Sequence, residues 1–177
     1  MHLTCVPGCY ATSVLLGLLP LKGRIKSAHI ASTSGISGAG MGVSKDNNFL
    51  VYKEGKQHPQ VREIIKTIGL DEILFVPQRI DTAKRGIISI MFVQINGAEE
   101  VAGLYAQAYG KHPFVKMKTE IETKNVVGTN FCDLKVLESR GTIVIIIALD
   151  NLLKGGSGQA VQNFNLMYDF KETTGLL

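Results

Sequence analysis

Val6-Pro7-Gly8-Cys9-Tyr10-Ala11-Thr12, followed by Ser13-Val14-Leu15-Leu16-Gly17-Leu18-Leu19, is the stretch around which the chain is organised. A Pro-Gly turn precedes a thiol, and the apolar run behind it is long enough for about two helical turns before Pro20. Cys9 therefore falls at a helix N-terminus. The unpaired backbone N–H groups and the positive end of the helix dipole there favour thiolate, the nucleophilic form, over thiol. The competing reading is a buried small hydrophobe, which is what most free cysteines are. Turn and helix start leave the two readings balanced.

Outward from this helix, 24–31 reads as a strand (Ile25, Ala28, Ile30), running into Ser32-Thr33-Ser34-Gly35-Ile36-Ser37-Gly38-Ala39-Gly40-Met41-Gly42. That composition suits either an anion-binding nest of N–H groups or a flexible linker. A short extended piece, 47–52, precedes Gly55-Lys56-Gln57-His58-Pro59-Gln60. Pro59 starts a helix carrying Val61, Ile64, Ile65 and Ile68 on one face and stopping at Gly69. His58, just ahead of it, is the side chain type best suited to proton transfer near neutrality, although a lone histidine is more often structural.

Residues 71–77 give a strand, 78–84 a polar loop, and 87–95 a long β-rich strand behind Arg85-Gly86. Arg85 is either a surface charge or a two-pronged holder of an anion. Asn96 and Glu99 have the form of a capping box for a helix with Val101, Leu104, Tyr105 and Ala108 inward. Strands follow at 114–119, 131–138 and 142–149, the last two closing as a hairpin through Ser139-Arg140-Gly141. A glycine-rich start, Lys154-Gly155-Gly156-Ser157-Gly158, leads into a final helix to about Tyr168, and is either an anion site or an ordinary loop. The fold class is α+β: a mixed, largely antiparallel sheet with helices on one face.

With 177 residues, 45% hydrophobic and 19% charged, the chain is an ordinary folded protein of one domain or one domain with an appendage. A formal net charge of +4, scattered singly, carries no nucleic-acid or membrane footprint but suits an anionic small substrate. Cys5, Cys9 and Cys132 make neither a disulfide framework nor a structural zinc site, so a reducing, cytoplasmic setting is expected and no metal. The longest apolar run, 143–149, is far short of the ~20 residues of a membrane helix.

Five blocks together resemble the N-acetyl-gamma-glutamyl-phosphate reductase family: Val-Pro-Gly-Cys-Tyr-Ala-Thr at 6–12, Thr-Ser-Gly-Ile-Ser-Gly-Ala-Gly at 33–40, Lys-Asn-Val-Val-Gly at 124–128, Phe-Cys-Asp at 131–133 and Asp-Asn-Leu-Leu-Lys-Gly-Gly-Ser-Gly-Gln-Ala-Val-Gln-Asn at 150–163. The resemblance implies a domain like the C-terminal one of glyceraldehyde-3-phosphate dehydrogenase, with 1–153 as catalytic and dimerisation domain. It makes 154–177 a C-terminal helix that packs on an NADP-binding Rossmann domain. Only the family's second half is matched, so a fragment or one half of a split enzyme is expected, binding NADPH weakly or not at all alone. A homo-oligomer is implied, and a separate NADP-binding half is its expected partner.

The implied reaction is NADPH-dependent reduction of N-acetyl-glutamyl 5-phosphate to the semialdehyde, in arginine biosynthesis, through a thioester on Cys9. His58 is the candidate proton carrier, Arg85 the substrate-anion site, and Ser34, Gly35, Gly38, Lys154 and Asn163 the NADP(H) contacts. One departure stands out. The family usually has two histidines one residue apart ahead of Pro-Glu; aligned on Pro59 both are missing, and His58 serves only with a small gap. Alternatives are the homologous N-acetyl-aminoadipyl-phosphate reductase of lysine biosynthesis, a non-catalytic oligomerisation remnant, and a thiol-dependent esterase or phosphatase.

Overall fold

The computed structural model describes residues 4–39, 48–97 and 100–177. Its elements run α1 (Cys9–Leu18), β1 (Ile25–Gly35), β2 (Phe49–Val51), α2 (Pro59–Ile68), β3 (Ile73–Ile80), β4 (Ile87–Ile95), α3 (Val101–Tyr109), β5 (Val115–Met117), β6 (Cys132–Ser139), β7 (Thr142–Leu149) and α4 (Gly158–Met167). The strands form one seven-stranded sheet in the order β2-β3-β1-β4-β7-β6-β5. β1 with β3 and β5 with β6 pair parallel, and the other neighbours antiparallel. The expected mixed, largely antiparallel α+β sheet is what the chain builds.

Strand alternation decides which face is covered. Ala28, Ile30, Ile87, Met91, Val93, Ile143, Ile145, Ile147 and Leu134 are buried, and α1 lies across β4 and β7 on that side with α2 beside it. On the opposite face, Ile88, Ile90, Val144 and Ile146 are only half-buried, while Leu74 and Phe92 are 53% and 48% exposed. An apolar sheet face is thus left open.

Two polar devices fix α1 on the sheet. Tyr105 and Tyr109 of α3 donate from their hydroxyls to the carbonyls of Gly17 (2.6 Å) and Leu16 (2.7 Å), satisfying acceptors that the helix end leaves unpaired. Beneath α1, buried Ser13, Ser89 and Ser32 are linked hydroxyl to hydroxyl at 2.7 Å each, and Ser13 also donates to the Tyr10 carbonyl at 2.9 Å. With one proton apiece, Ser89 then donates to Ser13 and Ser32 to Ser89.

Several boundaries differ from expectation. β1 continues through Ser32-Thr33-Ser34 to Gly35, since these residues pair in register with both β3 and β4. For the same reason β3 takes Gln78 to Ile80 out of the expected loop. Helix α3 begins at Val101 with Glu100 at its N-cap, and Tyr109 rather than Ala108 turns inward. Glu99 of the expected capping box, Gly40, Met41 and Gly42 of the glycine-rich stretch, and Asn47 at the start of the short extended piece lie outside the described residues. The hairpin closes as expected: Ser139 pairs with Thr142, and Arg140 and Gly141 both have positive φ (50° and 75°), as a tight two-residue turn requires.

Candidate active site

Cys9 is the first residue of α1, with Gly8 at the N-cap in extended conformation. Three features crowd its sulfur. The N–H groups of Tyr10 and of Cys9 itself, and the Gln60 side chain from α2, favour the charged form of that sulfur. Gln60 Oε1 accepts the Ala11 N–H at 3.0 Å, which leaves its amide N–H groups for other partners. A Cβ on Gly8 would overlap the Gln60 carboxamide, so only glycine admits that side chain here. Glu63, one turn along α2, accepts the Gly8 N–H at 3.0 Å.

The helix start does not by itself produce a thiolate. Burial pushes the Cys9 thiol above its ordinary value, and the nearby Glu63 carboxylate adds to this; the N–H groups of Tyr10 and Cys9 and the Gln60 amide pull it back only in part. The dipole argument identified the right donors but left out desolvation. Cys132 is fully buried, its thiol pushed up to about 12 by burial, whereas Cys5 is exposed.

His58 is the N-cap of α2 and is 7% exposed. Its ring sits edge-on to Tyr10 (5.3 Å between centroids) and Tyr52 (6.0 Å) and tilted against Phe75 (5.6 Å). Burial, and the Lys53 ammonium secondarily, lower its pKa, so it is neutral at neutral pH; its Nδ1 is buried without a hydrogen-bond partner. Tyr10 donates its hydroxyl to the Gln78 carbonyl at 2.8 Å and is joined to the Tyr52 hydroxyl at 3.1 Å. Both tyrosines sense the charge of Cys9.

A second cluster supports the far side of Cys9. Leu153–Ser157 forms a π-helical turn ahead of α4, and a Cβ on Gly155 would lie 2.7 Å from Cys9 Cβ, so this backbone rests directly on Cys9. The turn hangs on Asp150, whose carboxylate accepts the N–H groups of Leu152 (2.8 Å), Leu153 (3.0 Å) and Gly128 (2.7 Å) and pairs with Arg85 at 2.9 Å. Burial alone would raise Asp150, but the bonds from Gly128, Arg85, Leu152 and Leu153 outweigh it and hold the carboxyl below its ordinary value. Arg85, expected to meet a substrate anion, thus has its charge matched by Asp150 and braces this turn.

The expected cofactor contacts separate on geometry. Ser34 and Gly35 are buried, and the N–H groups of Gly35, Ile36 and Ser37 donate to the carbonyls of Gly86, Ala83 and Lys84, so the nest expected there is already filled by the chain itself. Lys154 is 1% exposed: its ammonium donates to Gln159 and Gln162 at 2.6 Å each and faces the Phe114 ring, which does not fit a contact with a dinucleotide phosphate. Gly38 is exposed, and half-buried Asn163 lies on the rim of a cavity of about 290 Å³ bordered by Thr12, Leu15 and Gln159. These two keep surface for a ligand. Sequence reasoning missed Gln60, Glu63, Tyr52 and Asp150; the three-residue spacing of Gln60 and Glu63 on one helix face was the available signal.

The family model for the semialdehyde dehydrogenase dimerisation domain matches residues 9–151. N-acetyl-gamma-glutamyl-phosphate reductase of Chlorobaculum tepidum is 42% identical across 97% of this chain and 57% of its own length. That of Geobacter metallireducens is 41% identical across 96% of the chain and 56% of its length. The chain therefore spans a little over half the length of the curated relatives it matches. The crystal structure of aspartate semialdehyde dehydrogenase II from Vibrio cholerae superposes with a TM-score of 0.72 over 93% of this chain and 62% of that one, at 15% identity, a likeness of fold.

Proposed function

Since the chain belongs to the semialdehyde dehydrogenase dimerisation-domain family and matches the C-terminal half of N-acetyl-gamma-glutamyl-phosphate reductases, we propose that it is the catalytic half of an acyl-phosphate reductase. It would act on N-acetyl-glutamyl 5-phosphate and work with an NADP-binding domain. The observation that carries this reading is Cys9 at the first position of α1, behind an extended Gly8 N-cap, where its own and the Tyr10 N–H groups favour the charged form of its sulfur.

The Cys9 sulfur attacks the acyl carbon, the C–O bond to phosphate breaks, and inorganic phosphate leaves with the electron pair, giving a thioester. Main-chain N–H groups at the helix start stabilise the oxyanion of that step. Because burial favours the neutral thiol, a base must take its proton. Neutral His58, with an unpartnered Nδ1 and its ring against Tyr10, is the acceptor we assign. The nicotinamide, when bound, supplies the hydride that turns the acyl group into the aldehyde. Gly38 and Asn163 are the residues of this chain that would border it. The exposed apolar residues of the C-terminal segment, Val161, Phe164, Tyr168 and Phe170 among them, suit the docking of the cofactor domain. The open sheet face around Phe92 suits a second copy of the chain.

Incubation with N-acetyl-glutamyl 5-phosphate tests the reading without any nicotinamide. One equivalent of phosphate should be released, and mass spectrometry should find the acyl group on Cys9. Absence of the adduct, or equal release by Cys9→Ser, would overturn it. Steady phosphate release beyond one equivalent would instead favour a thiol-dependent phosphatase. Titration with NADPH should show weak binding; micromolar affinity would contradict the need for a separate domain.

A further inference from the structure

A buried ammonium is costly unless its protons find acceptors. Lys154, 1% exposed, gives its own to two glutamines of α4, Gln159 Oε1 and Gln162 Oε1, at 2.6 Å each. Both bonds have a fixed sense. An ammonium donates and never accepts, so each glutamine must turn its oxygen to Lys154 and its amide nitrogen away. Gln162 then donates to Glu172 at 2.6 Å, while its oxygen takes a second bond from Asn130 Nδ2 at 3.1 Å. Gln159 donates to Asn163 Oδ1 at 2.9 Å. The end of the Asn163 carboxamide that no described residue engages is therefore Nδ2, on the rim of a cavity of about 290 Å³ that Leu15, Leu16 and Leu19 also border. Burial lowers Lys154 to about 8, Cys132 of β6 and Glu172 of the C-terminal segment act against that, and His112 after α3 is neutral; the ammonium is thus the form present at neutrality.

We propose that Lys154 is the positioning residue of Asn163: through Gln159 it fixes which end of the Asn163 carboxamide faces the cavity, so that the rim offers N–H donors to a hydrogen-bond acceptor on the ligand. This rests on the reading of Asn163 as a border of the nicotinamide and adds to it the polarity of that border. With an uncharged, apolar group at position 154, Gln159 is free to turn over, present its oxygen to Asn163 Nδ2, and leave an acceptor on the rim instead. Lys154 thereby sets a cofactor contact without being one.

The test is NMR of the side-chain amides in the isotope-labelled full chain, below neutrality, with the backbone amides of α4 as control. No substrate or cofactor enters, so failure here is distinct from failure of the reductase reading. In the parent, Gln159 should hold one Nε2 proton protected from exchange, while the Asn163 Nδ2 protons exchange as a free amide. Lys154→Met keeps the bulk and removes the donor. Protection of the Gln159 amide should fall about fivefold, the worth of one neutral hydrogen bond, and the Asn163 Nδ2 resonances should move while the α4 backbone amides hold their positions. Gln159→Leu cuts the relay in its middle and serves if Lys154→Met does not fold: Asn163 should move as before, and Gln162, still bound to Lys154, should keep its protection. Asn163 resonances that stay in place in either folded variant would overturn the proposal. A displacement of all of α4 along with them would overturn it too, by reducing Lys154 to packing.

Discussion

Gly155→Ala tests the closest contact made by the π-helical turn. The added Cβ would stand 2.7 Å from Cys9 Cβ, 3.1 Å from Cys9 Cα and 3.3 Å from Leu149 Cδ1, where ordinary contact begins at 3.4 Å. Separating the closest pair takes a movement of about 0.7 Å, and neither side yields freely. Gly155 N–H is bonded to the Asp150 carbonyl at 2.9 Å, and the Thr12 N–H ties the first turn of α1 to the Gly8 carbonyl at 2.7 Å. Overpacking of this kind costs about 1–3 kcal/mol, offset by about 0.4–1 kcal/mol because alanine stiffens the unfolded chain. The net loss of about 1–2 kcal/mol lowers the melting temperature by roughly 3–6 °C in a chain of this size. A displacement approaching 1 Å at a reacting atom costs up to about a hundredfold in rate. Thermal melting followed by circular dichroism and the rate of thioester formation with the acyl phosphate are the two measurements. A Gly155→Ala chain that melts with the parent and acylates at the parent's rate would refute the packing argument.

Three further outcomes are expected. Lys154 has its pKa pushed down to about 8 by burial, from an ordinary 10.5, so the folded state releases its proton earlier than the unfolded one. Stability should therefore rise with pH between those values, and Lys154→Met should abolish that rise in denaturant titrations at stepped pH. Asp150, held below its ordinary value, contributes stability that is full above the normal carboxylate range and is lost as pH falls through its folded pKa. Asp150→Asn should flatten that acid limb, and Asp150→Ala, which leaves Arg85 and three N–H groups unpaired, should cost about 3–5 kcal/mol by urea unfolding. His58→Phe fills the aromatic box, so the fold should persist, while thioester formation slows by about 10²–10⁴-fold; an unchanged rate would reduce His58 to packing.

How far the sequence carried depended on whether local chemistry or long-range pairing decided each element. Pro-Gly before the apolar run located α1, Pro59 and Gly69 bracketed α2, and Arg140-Gly141 marked the hairpin, because each of these signals acts within a few residues. Residues 32–35 read as a loop since serine and glycine carry no strand preference, and they are extended only because β3 and β4 flank them. The position of Cys9 was legible. Its raised pKa was not, since desolvation comes from elements distant in the chain. Lys154 and Arg85 looked like ligand-binding cations because their partners, Gln159 and Gln162 for one and Asp150 for the other, become neighbours only through the turn that folds them together.

The serine trio under α1 has a consequence for how this protein can vary. Leucine and isoleucine contacts between a helix and a sheet tolerate sliding and exchange, but Ser13, Ser89 and Ser32 form a one-way proton chain ending on the Tyr10 carbonyl. Replacing the middle serine takes the acceptor from the Ser32 hydroxyl while Ser13 keeps the Tyr10 carbonyl, whereas replacing all three leaves no hydroxyl behind. The single change should then be costlier than the triple one, so these positions are coupled and drift as a unit. Because the chain ends on the residue next to Cys9, the angular setting of α1 is inherited through three hydroxyls rather than through the oily surface around them.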